Sequence, residues 1–170
     1  ALTGTSEGSI LVWKDTQIRQ TVRAHQGPVF SLWLNVERGL LASGGQDGLI
    51  KIWDSEMKSI RVINIESQLS STFLSSTFDM EVRSVCWNGP RILLGLGGDV
   101  IVDLVESTGE ASVIVSGHKS GDVWCVAPSP VSSTSAASVG SDGWLRLWDS
   151  RSRRPSNSFN LRKGCARCVC

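Results

Sequence analysis

The chain has almost no net charge. Its 17 Lys+Arg residues face 16 Asp+Glu residues, which leaves +1, so there is no global field of the kind that draws a protein onto nucleic acid or an anionic membrane. No apolar run has the length of a bilayer span, and no stretch reads as a basic-then-apolar leader before a small-residue cleavage site. No segment keeps a helical hydrophobic period for long. The five cysteines, Cys86, Cys125, Cys165, Cys168 and Cys170, are odd in number and scattered, unlike the frameworks of small secreted domains. Reduced thiols in a cytosolic protein are the simpler expectation. What remains is a chain of 170 residues with 41% apolar composition, enough for a core.

What is present is a repeat. Aligned on tryptophan, residues 5–15 read TSEGSILVWKD, residues 44–54 GGQDGLIKIWD and residues 139–149 VGSDGWLRLWD. Each has an acid six positions before the tryptophan (Glu7 to Trp13, Asp47 to Trp53, Asp142 to Trp148), and four positions earlier again a small hydroxyl residue, Thr3, Ser43 or Ser138. Around these anchors the pattern is strand-like, with short β-branched or alternating runs separated by QDG and SDG turns. Self-similarity at this spacing points to a repeat architecture. Residues 81–105 hold the same order of strands and turns, with Leu104 where the tryptophan should stand and Val105 where the aspartate should follow.

The polar positions suggest one physical task. His25 is followed by Ser43 and Asp47 at 18 and 22 residues, and His118 by Ser138 and Asp142 at 20 and 24. Together with Trp53 and Trp148 these residues fit a buried chain of indole, hydroxyl, imidazole and carboxylate across one four-stranded sheet, because buried polar groups must be paired. Repeated placement predicts a structural role for both histidines, neither catalytic nor metal-ligating: two histidines 93 residues apart do not supply a metal site.

On these residues the chain resembles WD40 repeats. Gly117-His118 with Trp148-Asp149 looks like one, and Ala24-His25 with Trp53-Asp54 like another. Such repeats form the four-stranded blades of β-propellers. The stretch Ala24 to Leu32, a following unit without the signature that opens at Val82 to Val85, and then Ser116-Gly117-His118 leading to Trp124 are similar to the echinoderm microtubule-associated protein-like (EMAP-like) family. The order of good, degenerate and good blade carries that likeness. Lys14 after Trp13 and Glu7 in place of Asp depart from it.

The expected fold is therefore all-β, a partial WD40 β-propeller. It divides into the end of a blade (1–15), a WD40 blade region (16–65), a Ser/Thr-rich loop (66–80), a degenerate blade (81–116), a WD40 blade (117–160) and the first strand of a further blade (161–170). Three whole blades do not close a propeller, so the chain reads as a segment of a longer polypeptide whose remaining blades are partners.

The remaining motifs have ordinary readings beside the chemical ones. Gly4-Thr5-Ser6-Glu7-Gly8 satisfies G-x-S-x-G, but that chemistry needs a strand-to-helix turn, and here strands flank it. Cys165 and Cys168 have zinc-type spacing, yet no second pair completes four ligands, and alignment of the inner strands 31–33, 84–86, 125–127 and 168–170 makes the cysteines packing residues. Phe30, Arg83, Trp124 and Arg167 recur at the second position of those strands; aromatics and arginines anchor binding hot spots, so these are the partner-binding candidates, packing between blades being the alternative. Residues 150–170 carry six basic groups and no acid, either a strip for an acidic surface such as tubulin or solvated turns. Residues 69–78 duplicate LSSTF, the mark of a long surface loop.

The resemblance implies a non-enzymatic scaffold without cofactor, binding tubulin or microtubules in the cytoplasmic cytoskeleton, in cilia or flagella among other places. The alternative is a general WD40 adaptor, such as a peptide receptor or a ubiquitin-ligase substrate receptor. Neither nucleic acid nor membrane is expected as a partner.

Overall fold

A computed structural model describes residues 1–69, 79–98, 100–116, 118, 122–132, 134–149, 151–152 and 154–161. Among them are fifteen strands and one helical turn. The first sheet has three strands, β1 (Leu2–Gly4), β2 (Ser9–Lys14) and β3 (Gln17–Arg23). Three four-stranded sheets follow. The second holds β4 (Val29–Asn35), β5 (Leu40–Gly45), β6 (Leu49–Trp53) and β7 (Ser59–Asn64); the third β8 (Val82–Asn88), β9 (Arg91–Leu96), β10 (Val100–Val105) and β11 (Ala111–Ser116). The fourth holds β12 (Val123–Pro128), β13 (Ser135–Gly140), β14 (Trp144–Asp149) and β15 (Arg154–Asn160). Every sheet is an antiparallel meander in chain order. Among the described residues the single departure from all-β structure is α1 (Ile65–Gln68), one turn capped by the Asn64 side chain on the Ser67 N–H.

The tight turns follow from their residues. Gly48 and Gly143, at the ends of the QDG and SDG turns, sit at φ +69° and +73°, a left-handed conformation that a Cβ disfavours.

Neighbouring sheets pack face to face along their inner strands, β4 against β8 and β8 against β12. Apolar layers fill the gaps. Ile10, Ala24, Leu41 and Trp53 lie between the first two sheets; Ile50, Ile52, Val82, Val85, Ile92 and Leu104 lie between the second and third. Ile101, Val123, Val126 and Trp148 lie between the third and fourth. The closeness of this packing is set by glycines: a methyl at Gly4, Gly44 or Gly95 would come within 2.8, 2.6 or 2.8 Å of Val29, Val82 or Val123, the first residue of the next sheet's inner strand.

Two hydroxyls tie the inner strands to one another. Ser31 Oγ accepts from the Val85 N–H and Ser84 Oγ from the Val126 N–H, each at 3.0 Å. Register places Cys125 at the same position of the fourth sheet.

Candidate interaction face

The second sheet carries a closed polar chain. Trp53 Nε1 donates to Ser43 Oγ at 2.9 Å, Ser43 Oγ lies 2.8 Å from His25 Nε2, and His25 Nδ1 lies 2.8 Å from Asp47 Oδ1. Since the hydroxyl takes the indole hydrogen, its own proton is free for Nε2, which leaves Nδ1–H to donate to the carboxylate. Asp47 also accepts from the backbone N–H groups of Gln26 and Leu49, so one side chain ties the approach to β4 to the β5–β6 turn. His25 and Ser43 are buried. Burial pushes the His25 pKa below the usual histidine value, outweighing the Asp47 carboxylate that raises it.

The fourth sheet repeats the chain. Trp148 Nε1 donates to Ser138 Oγ at 2.7 Å, which lies 2.8 Å from His118 Nε2; His118 Nδ1 lies 2.9 Å from Asp142 Oδ1. A cation joins here that the second sheet does not bury, for Arg146 Nη1 lies 2.8 Å from Asp142 Oδ2 and 2.7 Å from His118 Nδ1. Burial pushes the Asp142 carboxyl up, but hydrogen bonds from His118, the Trp144 backbone and Arg146 outweigh it and hold the carboxyl below its ordinary range. In the first sheet Trp13 Nε1 still reaches Thr3 Oγ1 at 2.8 Å.

The third sheet has none of this. Register puts Leu94 where Ser43 and Ser138 stand, and Leu104 where Trp53 and Trp148 stand. Both leucines are fully buried. The hydrogen-bonded chain is replaced by apolar packing, which needs no partner on either side.

Ser, His and Asp in this order resemble a catalytic triad, but the geometry is closed. Ser43 and Ser138 are fully buried with indole N–H groups on their oxygens, so no substrate carbonyl can approach either nucleophile. Ser6 sits in the turn between β1 and β2, followed by a strand. Among the described residues no group of three or more His, Cys, Asp or Glu is arranged to hold a metal, and no helix is long and apolar enough to cross a membrane.

Of the four partner-binding candidates, three come together at the starts of the inner strands. The Arg83 guanidinium lies 4.2 Å from the Phe30 ring centroid and 5.2 Å from that of Trp124, between residues of the preceding and following sheets. Its Nη2 is 2.5 Å from Glu81 and 3.6 Å from Asp122, an ionic contact off the hydrogen-bonding direction, since among the described residues neither Glu81 Oε2 nor Arg83 Nε finds a hydrogen-bonding partner. Trp124 Nε1 donates to Ser141 Oγ at 2.8 Å. Phe30 and Trp124 are partly exposed and the Arg83 side chain is 17% exposed, so this tier both packs between sheets and presents aromatic surface. Arg167 lies outside the described residues, as do Cys165, Cys168, residues 70–78 and much of the 150–170 basic strip.

Some of the architecture escapes motif reading. The aspartate after tryptophan works locally: Asp54 Oδ1 accepts from the Glu56 and Lys58 N–H groups, and Asp149 from the Arg151 N–H and side chain. The Ser31 and Ser84 staples were missed although both sit at one register position, a signal that alignment of the inner strands contained. Arg146 and the pair of Arg91 with Asp103 had no repeated spacing to betray them.

These sheets, with Trp, Ser, His and Asp joined in two of four, match the WD domain, G-beta repeat family model over residues 16–54 and 109–149. The chain carries WD40 repeats. The two matched WD40 segments flank the degenerate sheet. Over 158 residues the chain is 28% identical to human echinoderm microtubule-associated protein-like 2, covering 91% of this chain and 22% of that protein. It is 29% identical over 158 residues to human echinoderm microtubule-associated protein-like 1, covering 91% and 18%. Against the 77 kDa echinoderm microtubule-associated protein of Strongylocentrotus purpuratus it is 24% identical over 168 residues, covering 96% and 23%. The chain thus spans about a fifth of the length of these relatives, and the similarity runs through the degenerate blade as well as through the WD40 signatures on either side.

Proposed function

We propose that this chain is a non-catalytic part of a WD40 propeller that binds tubulin or microtubules as a scaffold in the cytoplasmic cytoskeleton, ciliary and flagellar axonemes included. One observation carries the reading. Similarity to proteins named as microtubule-associated extends across nine-tenths of the chain, including a middle blade that has lost every polar marker common to WD40 repeats. A shared general fold would account for the marked blades alone; the shared unmarked blade supports a shared protein family and its task. The remaining blades of the parent chain complete the platform.

The proposed docking face is the tier at the inner-strand starts, with Phe30, Trp124 and Arg83, and with Arg167 at the same register in the sequence. Rigid aromatic and arginine anchors suit such a face. Co-sedimentation of the full-length protein with microtubules tests it. The wild type should pellet with microtubules, and Phe30→Ala, Trp124→Ala and Arg167→Glu should each weaken pelleting; Arg167→Glu should do so with thermal unfolding close to wild type, whereas the two aromatic truncations also remove packing between sheets. No pelleting by the wild type rejects the microtubule reading and favours a general WD40 adaptor; pelleting untouched by the substitutions moves the site off this face.

A further inference from the structure

The two interfaces made by the degenerate blade are built differently. On the side facing the second sheet, Leu40, Ala42, Ile50 and Ile52 of that sheet form part of a continuous apolar layer. The same register positions of the third sheet, facing the fourth, hold Arg91, Leu93, Ile101 and Asp103. A charged pair thus replaces two aliphatic side chains in an otherwise repeated contact. Arg91 Nε and Nη2 grip Asp103 side-on at 2.8 and 2.6 Å. Asp103 is 7% exposed while the Arg91 side chain is half-exposed, and desolvating the carboxylate of such a pair where an aliphatic side chain fits offsets much of what the pairing contributes to stability.

Where the apolar layer is interrupted a cleft opens. It has a volume of about 530 Å³, within the range of ligand pockets and well beyond one side chain. Leu93, Ile101, Ile114, Ala136 and Trp148 supply apolar walls, with Arg91 and Asp103 at one side. The Gly89-Pro90 and Thr134-Ser135 turns also border it, which sets it at the opposite end of the sheets from Phe30, Arg83 and Trp124.

The charges choose the ligand. Both Asp103 oxygens are engaged by Arg91 and the carboxylate is buried, so it offers little to a cation. Arg91 is half-exposed, and its Nη1 edge points away from the Asp103 contact, with capacity for a second carboxylate. We propose that this cleft binds an extended peptide segment of a partner protein that places one bulky apolar side chain against the partly exposed Leu93, Ile114 and Ala136, above the buried Ile101 and Trp148, and an adjacent carboxylate on the free edge of Arg91. The assignment stands apart from the microtubule reading, since it uses a different end of the molecule and different residues.

The test uses methyl NMR of the full-length protein with two probes, the blocked dipeptides acetyl-Ile-Asp-amide and acetyl-Ile-Asn-amide. The acidic probe should shift the Ile101 and Ile114 methyls and leave Ile10 unmoved. The neutral probe should bind about tenfold more weakly, the size of one charge-assisted contact. Ala136→Phe, which fills the cleft from a neighbouring strand, should abolish the shifts while the Ile10 and Ile50 methyls keep their wild-type positions. Three results overturn the proposal: no shift with either probe, equal affinity for both, or shifts that persist in Ala136→Phe. It is also overturned if Ile101 and Ile114 already show contacts to another segment of the same polypeptide, which would make the cleft an internal seam.

Discussion

Ser84 Oγ accepts the backbone N–H of Val126 at 3.0 Å, joining the inner strands of two successive blades. Ser31 makes the same contact with Val85 one blade earlier. A single hydroxyl at one register position therefore satisfies a backbone donor of the next sheet, and at Ser84, where both groups are buried, water cannot replace it. Removal by Ser84→Ala leaves the Val126 N–H buried without an acceptor and should cost about 1–3 kcal/mol. Chemical denaturation of the full-length protein checks this through a lower midpoint; Ser84→Cys, which imitates the residue found at Cys125, should lose less than the alanine.

The indole to carboxylate chain behaves as one unit. Trp53→Phe frees the Ser43 oxygen of its donor, and Ser43→Ala leaves both the indole N–H and His25 Nε2 unpaired. Each should destabilise by about 1–3 kcal/mol, and the double substitution by less than the sum, because the two share partners. A double-mutant cycle measures the coupling. Additive costs would show that the hydrogen bonds contribute independently.

Stability should fall in mild acid. Burial lowers the His25 pKa in the folded chain, so below about pH 6.5, the ordinary histidine value, the unfolded chain takes up a proton that the folded one refuses. The contribution is therefore intact above that pH and is lost as pH falls toward the depressed folded value. Asp142, also lowered, adds a second loss in the carboxylate range, from about pH 4 downward. Urea midpoints at pH 8, 6.5 and 5 test the histidine part, and His25→Gln should flatten the slope across that window.

The degenerate blade should not accept the lost signature piecemeal. Leu94→Ser places a hydroxyl at the register of Ser43 but beside Leu104, with no indole to donate and an apolar core around it. The lost side-chain volume and the unpaired hydroxyl together should cost about 3–5 kcal/mol. Calorimetry of the variant reads this as a lowered Tm, and the same Tm as wild type would mean that the site rearranges to solvate the serine.

Much of the fold was legible because chemistry recurs with a period. The spacing of His25, Ser43, Asp47 and Trp53, repeated at His118, Ser138, Asp142 and Trp148, marks buried polar groups that must meet. Leu104 was recognisable as a lost tryptophan by register alone. The Phe30, Arg83 and Trp124 stack was less so: repetition aligned the three, but only coordinates show that Arg83 lies between the two rings and is flanked by Glu81 and Asp122. Arg91 and Asp103 were illegible, since they occur once: the second sheet holds Leu40 and Ile52 at those register positions and the fourth Ser135 and Leu147. A single cross-strand ion pair leaves no period in a sequence.

Cys86 offers a direct probe of blade opening. Burial pushes its thiol up to about 12, with nearby Cys125 adding to the shift, and it is wholly enclosed. Alkylation at pH 8 should therefore proceed only through opening of the structure. In the Ser84→Ala variant the rate should rise in step with the loss of stability.

The central claim is that buried polar staples and interlocked apolar layers make successive blades one rigid body on which partners dock, the unmarked blade included. Native-state hydrogen exchange of the full-length protein tests it most directly, read at the Val85 and Val126 amides. Both should open with the same free energy as the amides of Ala42 and Leu94 in the adjoining strands, and should lose protection together in denaturant. Exchange of the degenerate blade at a distinctly lower free energy than its neighbours would contradict the claim.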